Sequence, residues 1–266
     1  MAIQTIRKGK LEYLVAEGIT VPHCFTTRYG GVSRDHLASL NIALHRGDLP
    51  ENVAENYRIL GVALGFDPKN VVHTRQTHSH IIRRVTRADC LGPDHRLYPE
   101  CDGLITNDPE TVLVVYTADC TPILLHDPVT GAVGAVHAGW RGTAGDIAGK
   151  AVKAMAQEFG CKPENIRAAI GPNIGQCCFQ TDGDVPAAMA ETFGAAAEKF
   201  VRQQNEKYYV NLKEMNALAL RRAGVQNIEI SVSCTMCESD RFWSHRVTGG
   251  QRGSQGAIIV CKEGIV

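Results

Sequence analysis

Three polar residues close apolar runs in this chain: His78 in "RQTHSH", Cys120 in "YTADCTP" and His137 in "AVHAGWRG". Imidazole nitrogen and thiolate sulfur are the donors that zinc and copper prefer. Two histidines and one cysteine leave a fourth tetrahedral position open, the arrangement of a catalytic rather than a structural zinc. The three lie in separate segments, so spacing alone leaves a second reading open, in which each is a buried or hydrogen-bonded residue. His80 shares a face with His78 if that stretch is extended. His73 and His126 also fall near strand ends, where surface or hydrogen-bonded roles suit them better. "CTMC" holds one CxxC pair, Cys234 and Cys237, and no second CxxC accompanies it. Vicinal Cys177 and Cys178 have the wrong spacing for a standard zinc knuckle, so no structural zinc is expected at these cysteines.

The turn "GWRGTAGD" (residues 139–146) is the natural place for an anion. Gly139 and Gly142 let the backbone approach a ligand closely. A helix beginning after Gly142 offers free N–H groups and the positive end of its dipole, and Arg141 stands beside it. Phosphate or a carboxylate fits there. The alternative is a tight turn in which Trp140 plugs the core and Arg141 makes an ion pair. Neither a Walker A motif nor GxGxxG is present. "SLNIALHRGD" (39–48) adds Asn41, His45 and Arg46, donors suited to an oxygen-rich ligand, or else a solvated loop capped by Asp48. Asp119, next to Cys120, is a candidate proton shuttle or merely an orienting residue.

These residues need elements to hold them. Pro50 begins a helix through "ENVAENYRILGVALGF", with Val53, Tyr57, Leu60 and Leu64 on one face. "NVVHTRQTHSHIIRRV" reads as strand, loop, strand. "TVLVVYT" (111–117) and "GAVGAVH" (131–137) are buried strands. From Thr143 a helix is expected with Ile147, Ala151, Val152, Met155 and Phe159 inward and Gly160 ending it. "NIRAAIG", "NIEISVS" and "GAIIVCK" are further strands, and helices are expected over 184–203 and 211–223. Strands and helices mix without strict βαβ alternation, which predicts an α+β fold with mixed sheets covered by helices.

Bulk properties narrow the class. The 266 residues are 44% apolar and 21% charged, with 28 basic and 28 acidic side chains. Such a balance gives no global reason to expect nucleic acid or an anionic membrane as partner. No segment reads as a signal peptide or membrane span, so a cytoplasmic location is expected. The ten cysteines are then expected as reduced thiols. No linker or repeat divides the chain, and one domain over residues 1–266 is expected.

The motifs "TTRYGGVS", "SLNIALHRGD", "RQTHSH", "CDGLITN", "TADCTPILLHDP", "VHAGWRG", "IGPNIGQCCF" and "CTMCESDRFWSHR" together resemble the YfiH-like laccase-domain family. Its members carry the labels multicopper polyphenol oxidase, peptidoglycan editing factor and purine nucleoside phosphorylase. The resemblance implies that His78, Cys120 and His137 bind a catalytic zinc, and that the fold is an αββα layered sandwich shared with a group of cysteine hydrolases. Gln180 and Ser254 depart from the family pattern, where Glu and Arg are common.

The three labels imply different chemistry. A multicopper relay would consume nearly every histidine available, mostly in repeated HxH pairs. The chain has ten histidines and one HxH, at His78 and His80, so only a single copper at the trio is compatible with phenol oxidation. The resemblance favours phosphorolysis of adenosine, inosine or methylthioadenosine, with deamination of adenosine beside it. Nucleoside and phosphate are then the partners, and Asn41, Arg46, Arg141 and Gly142 the candidate substrate contacts. The alternatives are a copper-dependent polyphenol oxidase and a cysteine hydrolase or peptidoglycan editing factor with Cys120 as nucleophile.

Overall fold

The computed structural model describes residues 3–95 and 99–262. Two six-stranded sheets form its centre. The first runs β1 (Ile3–Lys8), β2 (Leu11–Ala16), β3 (His23–Thr26), β15 (Gln255–Val260), β7 (Val112–Thr117) and β4 (Val71–His73). The second runs β14 (Asn227–Ile230), β10 (Arg167–Ile170), β8 (Thr121–His126), β9 (Val133–Ala138), β6 (Gly103–Thr106) and β5 (Ile82–Arg84). A small third sheet joins β11 (Gln180–Thr181), β13 (Lys207–Val210) and β12 (Val201–Gln204). Both large sheets are mixed: β4–β7, β5–β6 and β10–β14 pair parallel and the other pairs antiparallel.

Alternation along the strands explains the layering. Leu113 and Val115 of β7 join Leu104, Leu124 and Ala135 in an apolar layer between the two sheets. Val112 and Val114 point the other way, against Val53, Tyr57 and Leu60 of α1 (Pro50–Leu64). On the far side of the second sheet, Ile123 and Val136 meet α3 (Ile147–Phe159) and α5 (Leu212–Arg222) through Val152, Met155, Met215 and Leu220. Strands buried on both faces are continuous apolar runs for this reason. The α+β reading and its helix–sheet–sheet–helix layers hold.

Three helix boundaries differ from expectation. The helix expected from Thr143 is two pieces, α2 (Trp140–Ala144) and α3, broken where Asp146 takes a left-handed conformation (φ 55°) and accepts the Gly149 N–H. The first piece begins at Trp140, before Gly142, and not after it. The helix expected over 184–203 stops early: α4 (Asp184–Phe193) ends at Gly194, a 3-10 turn follows, and Val201–Gln204 is a strand. Among the described residues no helix is long and apolar enough to cross a membrane.

Register decides where the polar residues go. Thr121 pairs with Ala138, which sets Cys120 beside Gly139 and brings His137 to the same sheet end. Gly103 pairs with Val136, so Asp102 arrives opposite His137. Because β5 and β6 run parallel, the loop that precedes β5 and carries His78 meets the start of β6. The outgoing ends of β10 and β14 reach this edge too. One end of the second sheet therefore collects all three candidate ligands.

Candidate metal centre and active site

The ligand atoms of His78, Cys120 and His137 lie within 4.8 Å of one another. The Cys120 sulfur is 3.8 Å from Nε2 of His78, and the two imidazole rings meet edge to face at 5.0 Å. Asp102, fully buried, organises them. One carboxylate oxygen is 2.8 Å from Nδ1 of His137, which turns Nε2 of that ring toward the other two ligands. The same carboxylate accepts N–H bonds from Thr77 (3.2 Å), His78 (3.1 Å) and Ser79 (2.7 Å) and the Ser79 hydroxyl. His78 has φ 61°, a left-handed conformation that costs a non-glycine residue roughly 1–3 kcal/mol, and this fan of bonds holds it there.

The electrostatics are those of a thiolate–imidazolium pair steadied by a carboxylate. Burial pushes the Cys120 thiol up, but the adjacent His137 and hydrogen bonds from both histidines outweigh it and bring the thiol down to about 6. Burial likewise disfavours charge on His137, and Cys120 with Asp102 reverse that, lifting it to about 9. Burial again opposes ionisation of Asp102, which His137 and Ser79 overcome to hold it at about 2. A histidine that gives its second nitrogen to a carboxylate is the usual outer support of a metal ligand. The donor set fits a zinc- or copper-class ion with an open position. Gly139 makes the approach possible: a Cβ there would sit 2.7 Å from Cδ2 of His78 and 3.3 Å from the Cys120 sulfur.

The trio opens into a cavity of about 620 Å³. Among the described residues its lining carries four arginines, Arg46, Arg75, Arg246 and Arg252, against one carboxylate, Asp119. Arg75 is paired with Glu100 and Arg246 donates to the Gln180 carbonyl. Arg46 and Arg252 each keep a buried Nε with no hydrogen-bond partner among the described residues. Burial first, then the nearby charge of Arg46, brings Arg252 down to about 10. An anion between them would relieve both. Tyr116, Ile174 and Phe179 supply apolar wall.

The chain matches the family model described as multi-copper polyphenol oxidoreductase laccase over residues 22–262. It belongs to that family. This confirms the resemblance read from the motifs. Within the laccase-like family it is 39% identical over 245 residues to a protein named purine nucleoside phosphorylase YlmD from Geobacillus stearothermophilus, covering 90% of this chain and 89% of that one. A protein named purine nucleoside phosphorylase from Deinococcus radiodurans is 38% identical over 249 residues, covering 94% and 92%. The crystal structure of YlmD from Geobacillus stearothermophilus aligns with a TM-score of 0.90 at 36% identity, covering 97% of this chain and 99% of that chain.

The expected site residues separate into two groups. His78, Cys120, His137, Asp119 and Arg46 line the cavity, with His45 and His73. Arg141, Gly142 and Asn41 do not. Arg141 is exposed and stacks on Trp140 at 4.2 Å. Gly142 is packed under the Ser79 carbonyl. Asn41 is buried, its amide bound to Asp48, Ala43 and Ser254. The 139–146 turn, where an anion subsite was expected, presents Gly139 to the candidate ligands and Arg141 to solvent, outside the lining of this cavity. Asp119 is less free than a shuttle, since its oxygens accept from the Thr235 hydroxyl at 2.6 Å and the Arg246 N–H at 2.7 Å. His80 lies in a loop, not a strand, and packs on Gly145. His126 is buried at the far end of β8. Asp102 and Arg252 were not anticipated as site residues. Asp102 does open an apolar strand in "CDGLIT", and a carboxylate there is the one hint the sequence offered.

Proposed function

We propose that this protein is a zinc-dependent purine nucleoside phosphorylase. The observation that carries the reading is the joining of two features in one cavity: a His2Cys donor set with an open position, and two arginines with unpartnered buried nitrogens. The names of the relatives support it. His78, Cys120 and His137 would hold the ion, which supplies Lewis acidity when bound. Arg46 and Arg252 orient phosphate toward the sugar carbon, each charge-assisted bond contributing roughly 1.5–3 kcal/mol. Tyr116, Ile174 and Phe179 shelter the purine from water. Asp119 positions the loop that follows Thr235 rather than moving a proton. Deamination of adenosine, with water replacing phosphate, is the second reaction this reading includes.

The test compares Arg252→Met, Arg46→Met and Arg141→Ala with wild type, using inosine at varied phosphate and adenosine without it. Either cavity variant should lose about ten- to a hundredfold in phosphate-dependent kcat/KM, by about 1.4 kcal/mol per tenfold, with a smaller loss in deamination. Arg141→Ala should change neither reaction by more than about twofold, because an exposed arginine outside the lining contributes little. Loss in Arg141→Ala with none in Arg252→Met would reject the assignment.

A second reading has its own support, the alignment of Cys120, His137 and Asp102 as nucleophile, base and orienting carboxylate. It makes this chain a cysteine hydrolase. Turnover that survives full chelation but not thiol alkylation would favour it; loss on chelation with recovery on zinc addition excludes it.

A further inference from the structure

Four thiols at which the spacing along the chain argued against a structural zinc meet behind the cavity wall. Cys177 and Cys178 lie in the turn leaving β10, and Cys234 and Cys237 in the turn leaving β14. These strands run parallel with Ile170 opposite Ile230, and an isolated bridge from Asn173 to Cys234 extends the pairing. The two turns therefore emerge side by side. All four sulfurs fall within 4.8 Å of one another. Cys237 is 3.4 Å from Cys178 and 3.7 Å from Cys177. Four thiolates around one ion at about 2.3 Å stand about 3.8 Å apart, whereas a disulfide holds its sulfurs at about 2.05 Å. The spacing matches the tetrahedron.

Two further features point to a bound cation. The Gly175 N–H donates to the Cys234 sulfur at 3.1 Å. A backbone N–H donating to a sulfur stabilises a thiolate rather than a thiol. Beside the cluster Lys213 is buried, its ammonium donating to the Ser233 carbonyl at 2.6 Å. No carboxylate ion-pairs with it among the described residues, and its electrostatic neighbours are Cys234, Glu238 and Cys177. A buried ammonium needs opposite charge. A divalent ion with four thiolates carries a net charge of two minus and provides it.

We propose that Cys177, Cys178, Cys234 and Cys237 bind one zinc ion, separate from the His78–Cys120–His137 centre. Binding releases the thiol protons and changes no oxidation state. The fourth position is filled by protein, so the site holds structure rather than reacts with substrate. Its consequence reaches the cavity through both turns. The first carries Ile174 and Phe179 into the lining, and the second sends the Thr235 hydroxyl to the carboxylate of Asp119. The ion is a staple that fixes this wall beside Cys120.

Reduced, metal-free protein titrated anaerobically with Co2+ should take up two equivalents, one of them showing the strong sulfur-to-metal charge transfer of a four-thiolate tetrahedron. Cys177 and Cys237 are exposed, so a Cys177→Ser/Cys237→Ser variant should still fold; it should bind one equivalent and lack that band. A His78→Ala/His137→Ala variant should keep the band and lose the other equivalent. Zinc analysis of protein purified under reducing conditions should give two ions in wild type and one in each variant. Uptake by wild type without that band, retention of the band without Cys177 and Cys237, or recovery of these four residues as disulfides from reduced protein would overturn the proposal; one equivalent with the band would instead leave the His78–Cys120–His137 centre empty.

Discussion

Asp102 shows how much a single side chain does here. It holds His137 by its ring and His78 by its backbone, so two of three candidate ligands depend on one carboxylate. Asn at this position has nearly the same shape but replaces one acceptor by an NH2 donor. That donor would face either the imidazole or the N–H groups of Thr77 and Ser79, which already donate. Asp102→Asn should therefore weaken metal binding and kcat/KM by about ten- to a hundredfold while the protein remains folded. Competition with a chromophoric chelator, alongside circular dichroism, measures both; unaltered metal affinity would remove Asp102 from the centre. Cys120 and His137 drew notice in the sequence because they follow apolar runs, but it was the family resemblance that joined His78 to them as one candidate ligand set. Asp102 was not legible, because its part comes from register between β6 and β9, which no local pattern announces. The four clustered cysteines escaped for the same reason: their spacing is wrong along the chain and right only across two parallel strands.

At the scale of elements, most of the periodic segments were legible. Strands β7, β9, β10, β14 and β15 and helices α1, α3 and α5 follow from apolar runs, a Pro at the first turn, or left-handed Gly65 and Gly160 at the ends. The extended helix over 184–203 failed because alanines continued a helical pattern past Gly194, whose backbone (φ 58°, ψ −152°) no helix accommodates. Strand pairing with Lys207–Val210 then claimed Val201–Gln204. The turn between β9 and α2 gives the sharpest element-scale prediction. Gly139→Ala would place a methyl 2.7 Å from the His78 ring and 3.3 Å from the Cys120 sulfur, so one ligand must move. Metal affinity should fall at least about tenfold. Gly183→Ala, whose new methyl meets only Tyr208 at 3.6 Å, serves as control and should bind metal as wild type does. Equal affinities in the two variants would show that the turn tolerates the methyl.

For the whole molecule, buried histidines set the response to acid: His45 and His73 in the cavity wall are lowered to about 4, by burial first, and the sheet end opposite the site adds its own. His126 is buried there and its pKa is lowered to about 4, by burial first and then by Arg167. His23, also buried and lowered by burial, accepts the Ala16 N–H at Nε2 while Nδ1 faces the Val21 carbonyl. That arrangement requires the neutral ring. Both folded values lie below the ordinary 6.5 of the unfolded chain, so the unfolded state takes up protons first as pH falls. The stability these groups allow is intact above about 6.5 and is lost between there and about 4. For His126 alone the loss approaches about 3 kcal/mol, taking 1.36 kcal/mol per unit. Asp102 acts in a lower window, since its carboxylate is held near 2 and its contribution fades only below about 3.8. Urea midpoints of metal-free protein should fall steeply from pH 6.5 to 4. In His126→Gln the informative quantity is the slope, whatever the level at pH 7, and it should flatten. A slope identical to wild type across that window would place the acid sensitivity elsewhere than in His126.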